Sequence, residues 1–139
     1  MSMKFTFKND KFDVGQFWVG QNPITKVQLD NIREWQKNLR SRKYIQNKTG
    51  RQLKIGNEYC CLGVYSEIKN RLSPDGFFIG MDAENDMQPT CAIVNDVSWF
   101  RNEIGLTQEF WTLNDRLRYT FSEIADFIDE LLKHVTVEE

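Results

Sequence analysis

Along the first twenty residues apolar positions recur two apart, with Phe5 and Phe7 followed by Phe12, Phe17, Trp18 and Val19 and interrupted by Asn9-Asp10 and Gly15. That spacing predicts short strands over Lys4–Phe7 and Gln16–Val19, or an extended arm. The period then lengthens. Thr25 sits where an N-cap belongs, and Val27, Ile32, Trp35 and Leu39 fall on one face of a helix running to about Arg42. The opposite face carries Arg33, Lys37 and Arg40 in a row. Leu53 and Ile55 alternate with charged residues as on a half-buried strand over Arg51–Ile55. Gly56-Asn57 turns the chain, and Glu58–Cys61 pairs back before a helix whose apolar side is Leu62, Tyr65, Ile68 and Leu72. Gly63 in its first turn lets another backbone or a ligand come close, with tight packing the favoured reason.

The second half is more broken. Ser73-Pro74-Asp75-Gly76 is a turn signature, and Phe77–Ile79 and Cys91–Val94 read as short strands around an acidic loop from Gly80 to Pro89. Asp96 or Ser98 caps a helix that buries Trp99 and Ile104 and stops at Gly105; Thr107–Leu113 suits either a helix or a strand. Thr120-Phe121-Ser122-Glu123 has the form of a capping box. Phe121, Ile124, Phe127, Ile128, Leu131 and Leu132 make the apolar stripe of a helix to about His134, whose acidic side of Glu123, Asp126, Asp129 and Glu130 reads as a solvated face. The sum is an α+β chain: a small, mostly antiparallel sheet, a basic helix in the N-terminal half, a central helix and an amphipathic C-terminal helix. Without repeats or low-complexity linkers, residues 1–139 read as one domain, with an arm or strands over 1–22 and a globular core over 23–134.

Charge changes this picture. The net value of -2 hides segregation: Arg33 to Lys54 holds eight basic residues against the single acid Glu34, whereas Asp75 to Glu139 holds fourteen acids against four bases. A local positive field of this kind attracts phosphate or an acidic surface. No apolar run approaches the roughly 20 residues that cross a bilayer. With no signal-like segment at the start, the expectation is a cytoplasmic protein without membrane contact. Cys60, Cys61 and Cys91 are an odd set, which predicts reduced thiols and no disulfide framework. With His134 they offer no paired metal-ligand spacing, so neither a metal nor a cofactor is expected.

Three constellations carry candidate chemistry. A thiol at the head of the central helix, near cations, would be activated, but the run Tyr59-Cys60-Cys61-Leu62-Gly63-Val64 is apolar and points to buried structural cysteine. Asn114 and Asp115, followed by Arg116 and Arg118, fit either backbone hydrogen bonds beside a turn or a pocket in which amide and carboxylate read a base or ribose while arginines meet phosphate. The favoured constellation is the basic stretch. Arg40, Arg42, Lys43, Lys48 and Arg51 clamp phosphate, and Tyr44 or Trp35 supplies a ring on which a base stacks. The negative total charge and the lack of a nucleic-acid module disfavour long DNA or RNA.

Leu39-Arg40-Ser41-Arg42-Lys43-Tyr44, Gln46 and Gly50 with Leu53, Tyr59 to Val64, Leu113-Asn114-Asp115 and Phe121 to Ile128 together resemble the pattern of a widespread group of small proteins encoded by bacteriophages and prophages. The likeness spans Trp35 to Glu130. It departs from that pattern at Arg42, where Gly is common, and in the long aromatic arm. The resemblance implies phage origin, residence in the host cytoplasm and an accessory role, and phage accessory genes often act on host defence. The expected function is therefore non-enzymatic: binding and sequestering a phosphorylated, cyclic nucleotide signal, as a homo-oligomer with a shared pocket. Two alternatives stand beside it. One is inhibition of a host defence protein through the arm and the acidic loop. The other is a nucleotide-cleaving or thiol-dependent enzyme.

Overall fold

Helix starts are set by side chains that replace missing backbone partners. Thr25 Oγ1 accepts from Gln28 N at 3.1 Å while Gln28 Oε1 accepts from Thr25 N at 3.0 Å, and Thr120 and Glu123 repeat the exchange at 3.1 and 2.8 Å. These boxes open α1 (Lys26–Arg40) and, near the other end of the chain, Phe121–Leu132. The computed structural model describes residues 3–18, 23–48, 52–76, 98–107 and 109–138. The strands expected at 77–79 and 91–94, the acidic loop at 80–89 and the cap at Asp96 lie outside them.

The described elements run β1 (Lys4–Phe7), β2 (Asp10–Asp13), a 3-10 turn (Val14–Gln16), α1, β3 (Ile45–Gln46), β4 (Lys54–Ile55), β5 (Glu58–Tyr59), α2 (Cys61–Ile68), α3 (Ser98–Ile104), α4 (Phe110–Asp115) and α5 (Phe121–Leu132). This is an α+β fold. β1 and β2 form an antiparallel hairpin; β5 lies between β3, parallel to it, and β4, antiparallel to it. The second strand of the arm is Asp10–Asp13 rather than Gln16–Val19, because Lys8 and Asn9 take φ values of 52° and 71° and close a two-residue turn matching the strand twist. Gln16 belongs instead to the 3-10 turn, and Val19 lies outside the described residues.

The arm is part of the core. Phe5, Phe7 and Phe12 meet the Phe127 ring of α5 at centroid distances of 5.4, 5.6 and 4.8 Å. Phe110 joins this cluster to a second one around Trp35, which meets Phe110, Phe100 and Tyr65 edge-on at 5.2, 5.7 and 5.9 Å. One of the two rings expected to stack on a base is fully buried: Trp35 has no exposed surface, and its indole N–H donates to the Cys61 carbonyl at 2.9 Å. Helix α1 packs on α5, α3 and α2. Val27, expected inside, is 70% exposed, since the inward row of α1 is Ile32, Trp35, Gln36 and Leu39.

Gly63 sets how near α2 comes to the strands. A Cβ built there would stand 1.9 Å from the Leu53 carbonyl oxygen, and Cys60 N donates to that same oxygen at 3.1 Å. The obstacle is backbone, which cannot rotate away as a side chain can. Gly63→Ala is expected to destabilise the protein by at least about 3 kcal/mol, read as a lowered urea midpoint; an unchanged midpoint would mean that the two segments separate without cost.

Candidate functional site

The basic row of α1 is largely neutralised by α5. Arg33 Nη1 donates to Asp129 Oδ1, and Arg40 Nη2 to Asp126 Oδ1 and Asp129 Oδ2, each at 2.8 Å. Between them the buried Gln36 donates through Nε2 to the Ala125 carbonyl at 2.9 Å and to Asp129 Oδ1 at 2.8 Å. Burial pushes the Asp129 carboxyl up, but hydrogen bonds from Arg40, Gln36 and Arg33 outweigh it and hold the group below its usual value. Two expectations change: Arg40 is engaged with carboxylates, and on the acidic side of α5 Asp126 and Asp129 are ion-paired with α1, while Glu123 meets Lys8 and Glu130 meets Lys133.

Helix α1 ends at Arg40, two residues before the expected limit, and the chain reverses at once. Arg42 has φ 63°, the left-handed region in which glycine is at ease. The reversal lays Tyr44 edge-on against Tyr59 at 5.2 Å and 82°. The Lys43 ammonium lies 5.5 Å from the Tyr44 ring centre and that of Lys54 5.4 Å from the Tyr59 ring centre. Both rings are half-buried, while Arg42 and Lys43 are exposed and form no ion pair with a described residue. Burial, then Glu67 and Tyr59, hold the Tyr44 phenol above its usual pKa, so it remains a neutral donor. Ile45, Glu58 and Ile55 are register partners on the other face of this small sheet, and all three are exposed. Lys48 is half-buried beyond β3, and Arg51 lies outside the described residues.

Asn114 and Asp115 serve the interior. Asn114 is fully buried at 0% exposure, accepts from Gln46 Nε2 at 2.8 Å, and donates to the Asn47 carbonyl at 2.8 Å and to Asp115 Oδ1 at 2.7 Å. Gln46 also donates to the Tyr119 carbonyl at 2.7 Å and accepts from Phe121 N at 3.1 Å. The network ties β3 to the join between α4 and α5, so these side chains are bonded within the fold and not turned to a ligand face.

The cysteines also depart from expectation. Cys60 is disulfide-bonded, not a reduced thiol, and caps α2 through Sγ, which accepts from Gly63 N at 3.3 Å. Cys61 is free and buried, and burial, followed by Asp115, pushes its thiol far above the usual value. His134, the only histidine, stacks on Phe5 at 5.1 Å. A protonated, enclosed thiol is not a nucleophile, which removes the basis of the thiol-dependent reading. No protein-family model, curated protein or solved structure matches the chain.

The site that the geometry assembles is therefore Arg42, Lys43 and Tyr44 with Lys54 and Tyr59 added. Those two were missed because Tyr59 joins the site through Tyr44, more than ten residues away in sequence, and Lys54 joins it through Tyr59; the hairpin turn at Gly56-Asn57 was the local signal that Lys54 and Tyr59 lie opposite one another. A cavity of about 300 Å3 lies elsewhere, between the 3-10 turn and α4. The seam between α1 and α5 makes a prediction of its own. Because the native pKa of Asp129 is depressed, its contribution is complete above the unfolded carboxylate value of about 3.9 and fades as pH falls through the lower native one. The stability gap between wild type and Asp129→Asn should be widest near neutrality and narrow below about pH 4 in urea titrations; a gap independent of pH would contradict it.

Proposed function

We propose that this is a phage-encoded accessory protein that counters host defence by binding a phosphorylated, cyclic nucleotide without turning it over. The observation that carries the reading is the Tyr44–Tyr59 pair with the Lys43 and Lys54 ammonium groups over its rings and Arg42 beside it. A base stacks on a tyrosine ring face for about 1–3 kcal/mol, and the exposed Arg42 and Lys43, which form no ion pair with a described residue, meet the phosphodiester. Arg42 keeps a long side chain where the backbone favours glycine, and strain of this kind gathers at functional positions. The resemblance to phage and prophage proteins supports the origin. The host-protein alternative loses one of its surfaces, since the arm's phenylalanines face Phe127.

The full chain is incubated with cyclic mononucleotides and cyclic dinucleotides, washed, denatured, and the released ligand analysed. Intact recovery is expected, with a stoichiometry that shows whether copies share one ligand as a homo-oligomer would. Altered ligand would make the protein an enzyme, and no uptake would overturn the reading. Tyr44→Leu should weaken uptake roughly tenfold or more, with only a shallow dependence on salt. Arg42→Gly should raise stability by about 1 kcal/mol while lowering nucleotide affinity; stability gained with affinity untouched would remove Arg42 from the site.

A further inference from the structure

The cavity beside α4 has features that the fold does not use. Thr112 of α4 and the residues that flank the helix, Glu109 and Arg116, lie three and four apart and line one side, while Asn114 enters the β3 network from the other. Across from them stand Lys11 of β2 and Gln16 of the 3-10 turn. The volume of about 300 Å3 is at the small end of the range for ligand clefts, roughly 300–1,000 Å3. The apolar part of the lining, Phe12 and Phe17, is buried and locked edge-on at 6.0 Å. Leu117, 40% exposed, also lines it.

The polar groups are more telling. Lys8, Arg33, Arg40, Lys69 and Lys133 each meet a carboxylate, whereas Lys11 and Arg116 form no ion pair with any described residue. Two uncompensated cations flanking one concavity focus a positive potential into it. Gln16 Oε1 accepts from Asp13 N at 3.3 Å, which orients the amide and leaves its Nε2 as a donor unused by the described residues. Thr112 donates to the Glu109 carbonyl at 2.6 Å, so its oxygen is left to accept. Glu109 adds a carboxylate to the same cleft. A bare anion would be repelled by it, while a molecule with hydroxyl or amino donors away from its anionic head would be held at both ends.

We propose that this cleft binds a small phosphate monoester bearing such donors, with the phosphate between Lys11 and Arg116, the donors toward Glu109 and the body on Phe12, Phe17 and Leu117. Arg116 meets phosphate oxygens in a forked pair, Lys11 as a point charge. The site is separate from the tyrosine face and does not depend on it.

The test is calorimetric titration of the full chain with adenosine 5′-monophosphate, adenosine and inorganic phosphate. The monophosphate should bind, with adenosine weaker by roughly tenfold or more; Lys11→Met and Arg116→Met should each weaken the monophosphate by a similar factor. Both side chains are exposed, so unchanged thermal midpoints are expected and serve as the folding control. Glu109→Gln should strengthen inorganic phosphate. No heat at about 10 mM ligand, equal binding of adenosine, or insensitivity to Lys11→Met and Arg116→Met would overturn the site. So would loss of monophosphate binding in Tyr44→Leu, which would place that ligand on the tyrosine face.

Discussion

The approach of α2 to the Leu53 backbone is the constraint on which the arrangement of the molecule rests. Gly63 has no side chain to hold the two apart, and the Leu53 carbonyl takes the Cys60 N–H just before the helix begins. Leu53 is itself fully buried, and from it β4 leads through Gly56-Asn57 into β5, so Tyr59 is placed one residue before that same contact. The Trp35 indole reaches the Cys61 carbonyl one residue after it, which locks α1 against the same point. Sheet, central helix and long helix therefore meet within the span Tyr59 to Gly63. A displacement there would move Tyr59 relative to Tyr44, which stands just before β3, the strand paired with β5.

Charge is distributed on that frame in two ways. On α1 Arg33 and Arg40 are answered by Asp126 and Asp129 of α5, and pairs this exposed add little to stability one by one. Their larger effect is on what is left over. With Arg33 and Arg40 occupied, part of the positive potential of the N-terminal half falls on the segment after the helix, where Arg42 and Lys43 form no ion pair with a described residue. A second surplus arises from Lys11 and Arg116, far apart in sequence and on opposite walls of one cleft. The segregation of basic and acidic residues along the chain thus divides into a seam that closes the fold and small uncompensated groups at its surface.

Elements whose determinants are local were legible in the sequence. Thr25 and Thr120 announce their helices, Phe5 and Phe7 their strand, and Gly63 its close contact, because each rests on residues within a turn or two. The arm's second strand was misplaced because Lys8 and Asn9 both take positive φ, which Asn tolerates but Lys does not advertise. Leu53 and Ile55 alternate correctly, yet Leu53 is buried and Ile55 is 38% exposed, since β4 spans only Lys54–Ile55 and does not carry one face through. The candidate site was half legible. Tyr44 and its neighbouring cations form a face, but Arg40, Trp35, Asn114 and Asp115 were diverted by partners from α5, α2 and β3, and spacing along one strand of text cannot show what arrives from elsewhere.

The central claim is that the paired tyrosines and their cations are where a cyclic nucleotide is held. Amide chemical-shift mapping of the isotope-labelled full chain, titrated with a cyclic dinucleotide, tests it most directly. The account predicts saturable shifts concentrated at Arg42 to Ile45 and Lys54 to Tyr59, with the α1–α5 seam around Gln36 and Asp129 unmoved. Shifts confined to other surfaces, or none at saturating ligand, would contradict it.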